Sequence, residues 1–123
     1  MVKNKKAAES SALAEIVING IQEKKGKEIA QVDMRELKTA SADYFVVCHG
    51  DSDKQVEAIA RSVEEEVEKA TGELPWHTEG LENMEWVLLD YINVVVHIFV
   101  KDKREFYGIE ELWGDAEIKI YQD

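Results

Sequence analysis

The chain of 123 residues carries 26 acidic against 15 basic residues, a formal net charge of −11, and so lacks the cationic surface on which direct reading of DNA or RNA depends. That length suits one domain that buries a core without cross-links, and the single cysteine, Cys48, excludes an internal disulfide or a CxxC metal or redox pair. With no secretory, transmembrane or lipidation signal read from it, the expected location is a reducing cytoplasm, with no membrane partner.

Residues 1–9 read as a loose, Lys-rich flexible N-terminus, 10–115 as the domain, and 116–123 as a C-terminal tail. Ser10 or Ser11 is expected to cap a first helix in which Leu13, Ile16, Val17, Gly20 and Ile21 line one face. Lys24 and Lys25 suit its C-terminus, and Gly26 stops it. Ala30, Val32 and Met34 then alternate with Gln31 and Asp33, the pattern of a half-buried strand, and Leu37 to Ala42 is a connection. The run from Asp43 to His49 (DYFVVCH) is nearly continuous apolar sequence, as in a central strand covered on both faces. After Gly50-Asp51-Ser52, the spacing of Val56, Ile59, Ala60, Val63, Val67 and Ala70 predicts a helix with Ser52 and Gln55 as its capping box and Gly72 at its end. Glu73 to Thr78 reads as a short third strand, with Pro75 favouring an edge or an irregular segment, and with the strand and helix before it forms a right-handed parallel crossover.

Trp86 to Tyr91 and Val94 to Val100 flank Ile92-Asn93 and form an antiparallel hairpin. A two-residue loop sets Tyr91 opposite Val94, Leu89 opposite Val96 and Val87 opposite Ile98, six residues on one buried face. The other face carries Trp86, Leu88 and Asp90 against Phe99, His97 and Val95. A carboxylate and an imidazole are poor core material, so this face is expected to be at least partly exposed and to serve for docking, with His97 half-exposed and bonded to Asp90. Ile92 is an awkward residue for a tight turn. Asp102, with Glu105 three residues on, caps a short helix whose Phe106, Ile109, Leu112 and Trp113 pack back on the sheet, with Gly108 a candidate break that divides it into two turns. The tail DAEIKIYQD is either a frayed end or an added strand. The fold class is α+β, a single domain with a mixed five-stranded sheet and flanking helices.

Chemistry is sparse. Gly50-Asp51-Ser52 lies where a strand meets a helix N-terminus and can hold a phosphate, but a turn and a helix cap account for it, since neither a Walker pattern nor GxGxxG accompanies it. A nucleotide-binding or nucleotidyltransferase-like enzyme using that turn is the alternative function, yet Asp90 stands alone where metal-dependent transfer needs paired carboxylates. His49, His77 and His97 lack metal-ligand spacing, and no GxSxG elbow is present. No catalytic residue, metal or cofactor is assigned. Eleven acids against three bases between Asp51 and Glu85 make either a solvated helix face or a field that steers a basic partner. Trp86 is either core or an interface anchor, while Trp76 and Trp113 read as packing residues.

Taken together, ADYFVVCHG-S from Ala42 to Ser52, the EG at Glu79-Gly80, WVLLDY from Trp86, VVVHIF from Val94 and R-FY-IEELW from Arg104 to Trp113 resemble the Iojap family of ribosomal silencing factors over residues 11–115. The departures are His49 in place of Thr or Ser, Ile92-Asn93 in place of a Gly-Asp turn, and Gly108 in place of a larger residue. The resemblance implies a nucleotidyltransferase-like fold without the catalytic carboxylates. It also implies a non-enzymatic translational repressor that binds the large ribosomal subunit through ribosomal protein L-fourteen and sterically blocks the small subunit. Carried over by position, the partner-binding region falls around Trp86 as apolar anchor, with Glu79, Asp90 and His97 as polar contacts. Such proteins form homodimers when free, which leaves a plain dimerisation module as a third reading.

Overall fold

Val56, Ile59, Ala60, Val63 and Val67 are all buried along one face of the helix Asp53–Thr71, which is what an apolar stripe at helical spacing requires; only Ala70, at its end, is exposed. The computed structural model describes residues 2–37, 41–107 and 116–122. In chain order the elements are α1 (Val2–Glu23), β1 (Lys27–Asp33), β2 (Tyr44–Gly50), α2 (Asp53–Thr71), β3 (His77–Glu79), β4 (Trp86–Asp90), β5 (Val94–Val100), α3 (Lys101–Tyr107) and β6 (Glu117–Tyr121). The packing expected of Phe106, Ile109, Leu112 and Trp113, the break at Gly108, and residues 38–40 of the first connection lie outside the described residues or side chains.

The sheet has six strands in the order β3-β4-β5-β2-β1-β6, one more than the five expected. The extra strand is the tail: β6 pairs antiparallel with β1 from Ile29 opposite Tyr121 to Asp33 opposite Glu117. β2 and β5 form the parallel central pair, from Tyr44 opposite Val94 to Gly50 opposite Val100. β2 and β3 are parallel with α2 between them in the chain, as the expected crossover requires. β3 starts only at His77, and in the sheet β5 and β4 lie between the two, because β3 pairs antiparallel with β4. The hairpin register is as expected, with Leu89 opposite Val96 and Val87 opposite Ile98.

One face of the sheet is covered by α1 and α2. Val46, Cys48, Leu89, Val96 and Ile98 meet Val17, Ile21, Ile59 and Val63 there, all buried. Full burial of each aliphatic side chain is worth roughly 1.5–3 kcal/mol. The two helices approach closely at Gly20, where an added Cβ would lie 3.1 Å from Val63 Cα, and the Ser62 hydroxyl donates to the Gly20 carbonyl at 2.8 Å. α1 begins at Val2, so Ser10 is not its cap. Ser10 is buried and donates to Asp43 Oδ2 at 2.7 Å, tying the helix to the entry of β2. α1 ends in a Schellman arrangement, Gly26 N–H to Ile21 O and Lys25 N–H to Gln22 O, with Lys25 rather than a glycine in the left-handed position at φ 59. α3 starts at Lys101, one residue before the Asp102 cap expected for it.

On the other face a smaller cluster of Val32, Met34, Val47 and Phe99 is buried, with Phe45 and Trp86 packed partly against it. No described helix is long and apolar enough to cross a membrane.

Candidate functional site

Register places Trp86, Leu88 and Asp90 on one face of β4, opposite Phe99, His97 and Val95 of β5. Phe99, His97 and Val95 are buried, while Trp86, Leu88 and Asp90 are half-buried. The face expected to be partly exposed is therefore sealed along β5 and open along β4.

His97 is only 3% exposed, which corrects the half-exposed reading. Its ring lies 4.9 Å from Phe45 and 6.5 Å from Phe99 between centroids. Burial pushes its pKa down to about 4, so the imidazole is neutral and can accept at Nδ1. Its partner is Trp86, whose Nε1–H donates to Nδ1 at 3.1 Å, in place of the bond expected with Asp90. Trp86 also stacks on Phe99 at 5.1 Å and 27°. The indole is thus held by its hydrogen bond to His97 and by its stacking on Phe99, and it is half-buried. A charged His97 would have no lone pair at Nδ1 for that bond.

Asp90 lies at the far end of β4, where its Oδ1 accepts the Ile92 N–H at 2.7 Å. That bond supports a strained turn: Ile92 has φ 74, and the Asn93 N–H donates to the Tyr91 carbonyl at 2.9 Å across it, the pattern of a γ-turn with a left-handed centre. Glu79 of β3 is exposed, sits opposite Leu88, and is 3.4 Å from His77 Nε2. Of the four residues singled out from sequence, Trp86 and Glu79 meet at the surface, His97 lies beneath Trp86, and Asp90 is about four strand residues, or about 13 Å, away.

Sequence reasoning missed the recess that Trp86 shares. Glu79, Gly80, Asn83, Glu85, Trp86 and Leu88 line a cavity of about 260 Å³. Gly80 has φ 82, and a Cβ there would fall 1.9 Å from the Trp86 carbonyl oxygen, so only glycine lets the 80–85 loop fold this closely on β4. The one signal was the glycine directly after Glu79. Trp76, read as a packing residue, is instead 74% exposed. Among the described residues nothing covers it there.

Gly50-Asp51-Ser52 is built as a helix cap. Ser52 Oγ accepts the Gln55 N–H at 3.2 Å, and Gln55 Oε1 accepts the Asp51 N–H at 2.7 Å. These reciprocal bonds engage two of the donors a phosphate would require. His49 lies 2.9 Å from Arg104 Nη1, and burial and that guanidinium hold its pKa below the ordinary value. The Cys48 thiol is buried and pushed up to about 12 by desolvation, which leaves it an inert small hydrophobe. Among the described residues no group of three or more His, Cys, Asp or Glu is placed to hold a metal.

The family model described as "Ribosomal silencing factor during starvation" matches residues 7–123. The chain is 41% identical over 105 residues to "Ribosomal silencing factor RsfS" of Bacillus subtilis, covering 85% of this chain and 87% of that protein. It is 39% identical over 104 residues to the protein of the same name from Halalkalibacterium halodurans, with 85% and 87% covered. It is 32% identical over 97 residues to "Protein Iojap, chloroplastic" of Zea mays, covering 76% of this chain and 42% of the relative. Among solved structures, a protein of Chromobacterium violaceum superposes with a TM-score of 0.80 at 34% identity, covering 92% of each chain. A Bacillus halodurans protein superposes with a TM-score of 0.75 at 36% identity, covering 84% of this chain and 94% of the other.

Proposed function

Because the chain belongs to the RsfS family of ribosomal silencing factors, we propose that it represses translation by binding the large ribosomal subunit through ribosomal protein L-fourteen and sterically blocking the small subunit. The observation that carries this reading is the Trp86 indole, fixed by His97 and Phe99 and presented beside the Glu79 and Glu85 carboxylates. A preset aromatic anchor flanked by acids suits a basic protein surface, and the net charge of −11 steers toward such a partner and away from bare RNA. Glu79 is the polar contact beside the anchor, His97 the group that positions it, and Asp90 a contact at the far end of the strand. The action is steric and uses no cofactor or catalytic step, on a nucleotidyltransferase-like core without paired carboxylates. The protein acts in the cytoplasm and is a homodimer when free.

Subunit-joining assays with purified protein test this directly. Wild-type protein is expected to co-sediment with isolated large subunits and to prevent their pairing with small subunits. Trp86→Glu is expected to keep the fold and lose most of that binding. Wild-type affinity in the variant would remove Trp86 from the site, and unimpaired joining with the wild-type protein would remove the function.

A further inference from the structure

A tryptophan 74% exposed on a small acidic protein is out of place unless something covers it. Trp76 is not alone. Leu74, two residues earlier, is 64% exposed, and Ile92 at the hairpin turn is 56% exposed. Asp90 links them: its carbonyl accepts the Trp76 N–H at 2.8 Å and its carboxylate accepts the Ile92 N–H at 2.7 Å. Three exposed apolar residues thus lie at one end of the sheet, where β3 begins and the β4–β5 hairpin turns. Exposed apolar side chains gathered at one place on a surface are usually functional.

We propose that Leu74, Trp76 and Ile92 form a second anchor, which takes apolar side chains from a basic segment of the same partner that covers Trp86. This rests on the ribosome-binding reading above. Charge decides the occupant. Glu73 adjoins Leu74 and is exposed, and the neighbouring Tyr91 hydroxyl is kept from ionising first by burial and then by Glu64, Glu73 and Glu68 nearby. A second copy of this chain, itself at −11, would bring like charge to that acid rim, whereas a cationic segment with apolar side chains satisfies both rim and patch.

Distance allows one partner to reach both anchors. Extending the pairing of His77 with Asp90 sets Trp76 opposite Tyr91, five residues along the hairpin from Trp86. At about 3.4 Å per residue that is about 17 Å. The same register sets Trp76 on the Tyr91 face, opposite the face that carries Trp86, so a partner that covers both must wrap the β3 edge. The partner straddles the edge strand, with Trp86 and its recess on one side and Trp76 at the corner.

The test measures binding of the full chain to isolated large subunits for wild type, Trp76→Ser, Leu74→Ser and Trp86→Glu, with thermal midpoints and solution mass recorded for each. Trp76 is exposed, so Trp76→Ser is expected to keep its midpoint and its mass while its affinity falls at least tenfold, and Leu74→Ser is expected to fall severalfold. If Trp86→Glu loses binding but Trp76→Ser binds as wild type, the second anchor is overturned and the Trp86 site stands. If Trp76→Ser alters the solution mass and leaves subunit binding intact, the corner belongs to a self-contact and the proposal is again overturned. If wild type itself does not bind large subunits, both readings fall.

Discussion

Acid should weaken this protein through His97. The folded-state pKa of about 4, against the ordinary 6.5, arises because the ring is sealed among Phe45, Trp86 and Phe99. A depressed histidine contributes stability in full above about 6.5 and loses it as pH falls toward 4, since the unfolded chain takes up the proton first. The whole effect is about 3 kcal/mol, of which about 2 kcal/mol is lost by pH 5. His49 is depressed as well and acts with the same sign, so wild type alone does not isolate His97. His97→Gln does, because its amide oxygen can accept the Trp86 N–H but does not titrate in this range. Urea denaturation of both proteins at pH 7.5 and pH 5 is the assay. Wild type is expected to lose about 2 kcal/mol more than the variant over that interval, with unchanged m-values. Equal losses would show that His97 takes up its proton without penalty in the fold, and the account of how Trp86 is held would fail with it.

Ile92→Gly removes a β-branched residue from φ 74 in an exposed turn, and should raise stability by about 1 kcal/mol, read as a higher denaturation midpoint. Ser52→Ala deletes the α2 cap and should cost about 1 kcal/mol by the same measurement. Gly80→Ala must force the 80–85 loop away from the Trp86 carbonyl at a cost of about 2 kcal/mol or more, and should weaken large-subunit binding beyond what its stability loss explains. No loss of stability in this last variant would mean that the loop does not press on β4 as described.

The elements built from local periodicity were legible in the chain. Val56 through Val67 recur at helical spacing, Ser52 and Gln55 cap the helix they begin, and the apolar alternation of residues 86–100 admits one register across a two-residue turn. The motifs around them carried the family as well. These features depend on residues within about a turn or a strand pair of one another, which is the range over which a sequence pattern specifies geometry. Long-range association decided the rest. Ser10 looked like a cap because its partner, Asp43, lies 33 residues away. EIKIY became a sixth strand only because the edge of β1 was open to it. The alternation in β4 and β5 put Trp86 and His97 on one face, but what lies over that face is set by tertiary packing, which buried the imidazole and left the indole half-buried. Trp76 lies exposed for the same reason, since no described layer covers the corner where β3 begins.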